Sequence, residues 1–164
     1  MNAGRSGRTD RSDRGFSLPE LLTVLALMGL FIIFGGPAMA DGYRAYKVRS
    51  TADNLTTDIR ALRYNAVTNR GSRTMTLNDQ TNATAPNTYS FVNAAGNTVT
   101  ITLDVGINIE SGSATTLTMN SNGSTGSGGN VTVSVSGMIN GSRNDRYTIT
   151  ITPTGTVSSA YSTF

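Results

Sequence analysis

An uncharged run from Leu21 to Ala40 constrains this 164-residue chain more than any other feature. With the five residues before it, the run makes a segment of 25 residues from Phe16 to Ala40. As a helix, this segment extends roughly 37 Å, which is enough to cross a hydrocarbon core of about 30 Å. The sequence therefore predicts a transmembrane N-terminal helix over residues 16–40, preceded by a polar, arginine-rich leader over residues 1–15.

Glu20 places a carboxylate near the start of this predicted helix, where a membrane span does not normally carry a charge. Such a charge costs at least a few kcal/mol, which makes it a candidate for a functional role. If the chain is cut after Gly15, the new α-amine of Phe16 becomes a cation that Glu20 of a neighbouring subunit can neutralise. The alternative is that Glu20 lies at the membrane interface, solvated by headgroups.

Residues 15–22 read Gly-Phe-Ser-Leu-Pro-Glu-Leu-Leu and are followed by the uncharged span. This pattern resembles the cleavage and methylation motif of type IV prepilins and type II secretion pseudopilins, usually Gly-Phe-Thr-Leu-Ile-Glu. The resemblance implies that a prepilin peptidase cuts after Gly15 and methylates Phe16, and that Glu20 guides subunit docking. Pro19 departs from the usual aliphatic residue, but it falls in the first helical turn, where a missing N–H costs little.

Residues 62–67, continuing through Arg70 into a predicted strand at 74–77, carry a second resemblance. They are similar to the helix end and first strand of the GspH/FimT family of minor pseudopilins and minor pilins, usually Ala-Arg-x-Glu-Ala. Arg63 and Ala66 fit, whereas Asn65 stands where a glutamate is common. This resemblance implies a minor subunit whose partners are other pilins or pseudopilins, the prepilin peptidase and an inner-membrane assembly platform.

Gly29 and Pro37 lie within the predicted span. Small residues there permit close approach of helices in a membrane. In pilin-like families, a glycine near the middle of the span and a proline at about this depth mark where the helix kinks or melts on filament assembly. The resemblance therefore implies that role for both residues.

Charge counting gives only weak information on orientation, because basic residues flank the span on both sides. The simpler topology has the leader on the cytoplasmic side and the long polar C-terminal part translocated. The prediction is a single-pass protein of the inner membrane with its head on the periplasmic or extracellular side, which then enters a pilus or pseudopilus.

Residues 41–70 are predicted to form an amphipathic helix, since Leu55, Ile59, Leu62 and Ala66 recur at spacings of 4, 3 and 4. Gly71 is predicted to end this helix by taking the left-handed conformation. With the span, the segment forms one long helix from Phe16 to about Arg70.

Residues 71–164 switch to alternation of apolar with threonine, serine or asparagine residues, which is typical of antiparallel strands with one buried face. The apolar positions are Met75 and Leu77, Tyr89 and Phe91, Val99 to Leu103, Leu117 and Met119, Val131 to Val135, and Tyr147 to Ile151. The predicted fold is therefore α+β and pilin-like, with a long N-terminal helix packed on a C-terminal antiparallel β-sheet head.

Composition argues against an enzyme, because the chain has no histidine or cysteine and no nucleophile-elbow motif. A glycine-rich loop at 123–128 is followed by a predicted strand and not by a helix, which excludes a phosphate-binding loop. No cofactor or metal is expected, although Asp79 and its asparagine neighbours leave a calcium loop as an alternative.

Three other functions remain open. A major pilin is the nearest rival, because it would share the leader, the processing motif and the apolar span. A DNA-binding minor pilin of natural transformation would use Arg70, Arg73, Arg143 and Arg146 for phosphate contacts, although nearby acidic residues favour a solvated surface. A secreted soluble β-domain would result if Ala38-Met39-Ala40 were a signal peptidase site, with cleavage after Ala40.

Overall fold

The computed structural model describes residues 16–78 and 87–164 of the chain. Two compact units divide the chain, residues 1–38 and residues 39–164. One helix, α1, runs from Leu18 to Thr68 and contributes residues to both units. The predicted single long helix is therefore confirmed apart from its end residues, and it has no break at Pro37.

In the first unit, α1 carries large apolar side chains that are exposed along its length, such as Leu25, Phe31 and Ile32. By length and composition, α1 is able to cross a membrane. A helix that is apolar on all sides requires lipid or other helices around it.

The second unit adds eight strands to the rest of α1. Their bounds are β1 Arg73–Asn78, β2 Thr88–Val92, β3 Thr98–Thr102, β4 Ile107–Ile109, β5 Thr116–Met119, β6 Val131–Asn140, β7 Arg143–Ile151 and β8 Val157–Thr163. They form two four-stranded antiparallel sheets, sheet A with the order β3-β2-β1-β5 and sheet B with the order β4-β6-β7-β8. The predicted antiparallel strands are confirmed, whereas β4, β8 and the division into two sheets were not predicted.

The core lies between the sheets and one face of α1. The predicted face of Leu55, Ile59, Leu62 and Ala66 is fully buried. The structure extends this face towards the N-terminus by Val48 and Ala52. Opposite it lie the inward residues of both sheets, among them Met75, Leu77, Leu117, Val133, Val135, Ile149 and Ile151. Burying each such side chain stabilises the fold by about 1.5–3 kcal/mol.

Polar side chains also join the parts of the second unit, and two examples are Asn87 and Arg44. The buried Asn87 connects the sheets, because its Nδ2 donates to Asn108 Oδ1 at 3.0 Å and its Oδ1 accepts from the N–H of Ile109 at 3.3 Å. Arg44 on α1 donates to the carbonyl of Ile139 at 2.8 Å. These bonds link distant segments that apolar burial alone would not align.

The end of α1 differs from the prediction, because Arg70 and not Gly71 takes the left-handed conformation, with a φ of 48°. The N–H of Gly71 donates to the Ala66 carbonyl at 3.1 Å and that of Arg70 to Val67 at 3.3 Å. This is a Schellman motif, in which the left-handed position normally carries glycine. The motif is displaced by one residue because the helix ends one residue earlier than the sequence suggested.

Arg70→Gly is therefore expected to raise the free energy of unfolding by about 0.5–1 kcal/mol, because glycine adopts this conformation without a Cβ penalty. Chemical denaturation of the two proteins measures the difference. The matched control is Arg60→Gly, at an exposed position inside the helix, which should lower stability by about 1 kcal/mol. A loss of stability in both variants would contradict the assignment of Arg70 to the left-handed position of the Schellman motif.

Candidate functional site

In the first unit, helix α1 begins directly after Ser17. Ser17 precedes α1, and its carbonyl accepts from the N–H of Glu20 at 3.0 Å and of Leu21 at 3.1 Å. Ser17 is thus the N-cap residue, and Glu20 is the third helical residue, the spacing of a capping box. A carboxylate there is also stabilised by the positive end of the helix dipole. The Ser-x-x-Glu spacing is therefore a local sequence signal for the start of α1.

Phe16 and Glu20, the described residues of the predicted processing and docking segment, are both exposed. The Phe16 side chain is 78% accessible. Pro19 lies in the first turn, as expected. Gly15, the predicted cleavage position, lies outside the described residues, and so does Asp79. The arrangement presents an acidic side chain one helical turn from the predicted mature N-terminus.

Gly29 and Pro37, the predicted kink or melting positions, both lie in regular helix. A Cβ added at Gly29 would meet no other atom within 4 Å. Pro37 lacks the N–H that would otherwise bond within the helix. Their proposed part in filament assembly stays a prediction.

Two of the candidate phosphate-contacting arginines, Arg143 and Arg146, lie on strand β7, where they point to opposite faces of sheet B. Arg143 forms a two-point contact with Asp145, at 2.7 and 2.9 Å, and donates to the Tyr161 hydroxyl at 2.9 Å. The hydrogen bond to Asp145 raises the pKa of Arg143 above its usual value. Arg146 pairs with Glu110 at 2.7 Å and lies over the Phe164 ring at 4.1 Å.

Arg70 and Arg73 belong to a different part of the second unit, the end of α1 and the start of β1 in sheet A. The structure therefore does not bring the four arginines together on one face. Since Arg143 and Arg146 are already paired with carboxylates, DNA binding stays an untested prediction that this geometry does not favour. Within the described ranges, no group of three or more acidic, histidine or cysteine residues is placed to hold a metal ion.

Arg63 has a role that the sequence did not reveal. Its Nε donates to the Gly123 carbonyl at 3.0 Å, and its Nη2 donates to the Thr154 carbonyl at 3.1 Å. One side chain of α1 thus fastens two loops that precede strands of sheet B. We call these two bonds the Arg63 clamp. Its partners are backbone atoms 60 and 91 residues away, so no local pattern indicates it.

Among the described residues, Tyr89 has the most strongly shifted pKa. Its hydroxyl donates to Asp58 Oδ2 at 2.7 Å, and the side chain is buried. Burial, and after it the hydrogen bond to Asp58, raises the pKa of Tyr89 well above the ordinary value of 10.0. An unfolded tyrosine loses its proton near pH 10, whereas the folded one keeps it. The stability that Tyr89 contributes is therefore complete below about pH 10 and is lost as the pH rises towards the folded pKa.

We expect the free energy of unfolding to fall between about pH 9 and about pH 12, and to fall less steeply in Tyr89→Phe. Denaturant titrations across this range measure both slopes. Tyr64→Phe, at an exposed position on α1, is the control and should keep the steeper slope. If the free energy of unfolding fell equally steeply with pH in all three proteins, Tyr89 would not be the source of this pH dependence.

Comparison with known proteins supports the fold. No protein-family model matches the chain, and no curated protein matches it. The crystal structure of the type IV minor pilin FimU of Pseudomonas aeruginosa is similar, with a TM-score of 0.51 at 14% identity over 70% of this chain and 88% of that chain. A second crystal form of FimU gives a TM-score of 0.47 at 17% identity, over 68% and 91%. The α+β, pilin-like fold expected from the sequence, one long N-terminal helix with antiparallel sheets, is therefore confirmed.

Proposed function

We propose that this chain is a minor pilin or pseudopilin, a structural subunit of a type IV pilus or a type II secretion pseudopilus and not an enzyme. The observation that carries the proposal is the position of Glu20, an exposed carboxylate in the first turn of a long apolar helix. The FimU-like fold supports it. An exposed carboxylate in the first helical turn stabilises the helix start, and in an apolar environment it also suits pairing with a terminal amine.

In this proposal, the chain is inserted in the inner membrane through residues 16–40, with residues 41–164 on the periplasmic side. A prepilin peptidase removes residues 1–15 after Gly15 and methylates Phe16. The assembly platform then adds the subunit to a filament, where Glu20 docks against the amine of a neighbouring subunit. The subfamily that fits residues 62–67 is GspH/FimT.

The mature N-terminus tests the proposal directly. Intact mass and N-terminal sequencing of protein from its native membrane should give a chain that starts at methylated Phe16. The control is Gly15→Leu, which should remain full-length, because the peptidase needs the glycine. A start at Asp41 would overturn the proposal and leave a secreted β-domain. The abundance of the protein in sheared filaments separates a minor from a major subunit.

The continuous helix bears on the secreted alternative. Residues 38–40 and Asp41 all lie within α1, and the Asp41 carboxylate accepts from Asn140 Nδ2 at 2.8 Å. Cleavage by a signal peptidase would precede the folding of the second unit, and a chain that starts at Asp41 would keep this contact. The measured mature N-terminus therefore decides between the two alternatives.

A further inference from the structure

A tight turn joins β3 to β4 and presents Val105 to the exterior. The N–H of Ile107 donates to the carbonyl of Asp104 at 3.0 Å, and Gly106 has a φ of 87°, whereas Val105 is not in the left-handed region. This is the geometry of a type II turn with glycine at its third position and Val105 at its second. Leu103 and Ile107 are buried on either side, so the turn is held in place at both ends.

Val105 is 100% exposed, and no other large apolar side chain among the described residues is fully exposed. Turns normally carry glycine, proline, asparagine, aspartate or serine. The turn between β6 and β7, for example, consists of Gly141 and Ser142. A single apolar side chain on a surface needs no explanation, so the significance of Val105 depends on the residues around it.

The turn lies beside α1, near the point where that helix enters the second unit. Asp104 pairs with Lys47 at 3.0 Å. The ammonium of Lys47 also lies over the ring of Tyr43, 5.1 Å from its centroid. Tyr43 and Tyr46 are 61% and 66% exposed and, three residues apart, are neighbours on the helix surface. The ion pair therefore connects Val105 with two exposed aromatic side chains.

The ion pair of Lys47 and Asp104 remains accessible from outside. An ammonium group has three N–H donors, and a carboxylate accepts at several lone pairs. Lys47 can therefore keep its bond to Asp104 and also donate to an outside acceptor, such as a phosphate oxygen. The surface thus combines an exposed aliphatic group, two amphipathic rings and a cation.

The distance along α1 places this surface at the level of lipid headgroups. At 1.5 Å per residue, Tyr43 and Tyr46 follow Ala40, the last residue of the predicted span, by about 4.5 and 9 Å. Helical side chains tilt towards the N-terminus, so the rings and the Lys47 ammonium lie nearer the span than their Cα atoms do. The headgroup layer is about 5–8 Å thick on each side of the hydrocarbon. Tyrosine and lysine are typical of this layer.

We propose that this end of the second unit lies on a phospholipid surface while the subunit is in the membrane. Val105 inserts at the boundary of headgroups and acyl chains, Tyr43 and Tyr46 lie among the headgroups, and Lys47 donates to a headgroup phosphate. Exposed apolar groups beside a cation are typical of such interfacial contacts. The inference rests on the membrane insertion in the proposed function, which it extends by naming a lipid contact of the head.

Tryptophan fluorescence tests the contact, because the chain contains no tryptophan. Full-length Val105→Trp protein is purified from its native membrane and reconstituted in phospholipid vesicles with bromine atoms on the acyl chains. We expect the bromines to quench its emission at least about threefold more than that of the control, since an interfacial side chain lies only about 5–10 Å deep in the headgroup and acyl boundary. The control is Tyr64→Trp, at an exposed position of α1 roughly 27 Å beyond Tyr46 along the helix.

A second measurement avoids the preference of tryptophan itself for the interface. Val105→Cys is close in size to the native side chain, and the chain has no other cysteine. In the same vesicles, a charged maleimide should react with it at least about tenfold more slowly than with Tyr64→Cys, because the thiolate that reacts is disfavoured in apolar surroundings. Both positions are exposed, so neither substitution removes a core contact.

Each outcome either supports the contact or overturns it. Equal quenching of the two tryptophan variants, or equal maleimide rates of the two cysteine variants, would overturn it. Slow reaction of Val105→Cys without quenching of Val105→Trp would show that protein and not lipid covers this position, which also overturns it. The N-terminus is measured in the same samples. A start at Phe16 without quenching refutes this contact alone, whereas a start at Asp41 with quenching retained refutes the proposed function alone.

Discussion

Gly155→Ala is expected to lower the free energy of unfolding by about 3–5 kcal/mol, combining left-handed strain with overpacking. Gly155 has a φ of 79°, and a Cβ there would collide with the Gly123 carbonyl oxygen and lie 2.8 Å from Arg63 Nε. The collision involves backbone, which cannot rotate away. It would also separate the atoms that form the Arg63 clamp. Urea denaturation of the wild type and variant measures the loss.

Gly128→Ala is the matched control for that experiment, because a Cβ at Gly128 meets no atom within 4 Å and its φ is not in the left-handed region. Its effect should stay within about 0.5 kcal/mol. If both alanine variants kept the wild-type stability, the close approach of the two loops would not hold in solution. A large loss for both would point instead to a general effect on the loops.

Glu20→Ala is expected to reduce incorporation into filaments by about 100-fold, because the amine of the neighbouring subunit loses its partner in an apolar environment. Quantitative immunoblotting of sheared filaments against the membrane fraction measures incorporation. Glu20→Asp retains the carboxylate and should recover part of the signal. The mass of the mature protein must remain unchanged, so that assembly and processing are distinguished. If the Glu20→Ala protein were incorporated into filaments as well as the wild type, Glu20 would not have the proposed docking role.

Much of the fold could be predicted because its signals are local. The spacing from Leu55 to Ala66 places those side chains on one helical face, and the alternation around Met75 and Leu77 gives a strand with one covered face. Both periods follow from backbone geometry alone. The apolar residues that these two patterns identify are buried in the structure.

Strands β4 and β8 were missed for opposite reasons. The three residues of β4, Ile107–Ile109, are too few to establish a period. The seven residues of β8 have no apolar alternation, because nearly all of its side chains are exposed. Such a strand is recognisable only from its partner β7. The division into two sheets depends on the same long-range pairings.

In the candidate site, too, only the contacts between residues close in sequence could be predicted. The position of Glu20 follows from Ser17 three residues earlier, and Asp145 is within reach of Arg143 because residues two apart share a face of a strand. By contrast, Arg146 finds Glu110 36 residues away, a distance over which sequence spacing carries no information. The sequence therefore left the four arginines open as phosphate contacts, although the nearby acidic residues already favoured a solvated surface.

The Arg63 clamp also affects how the helical segment of the second unit is held against the sheets. Arg63 bonds to the Gly123 and Thr154 carbonyls near the C-terminal end of this segment, and Arg44 bonds to the Ile139 carbonyl near its N-terminal end. Because these hydrogen bonds lie at both ends of the buried face, the helical segment would have to break all of them to slide along the sheets. We therefore expect the second unit to resist shear of its helix more strongly than burial of the apolar face alone would allow.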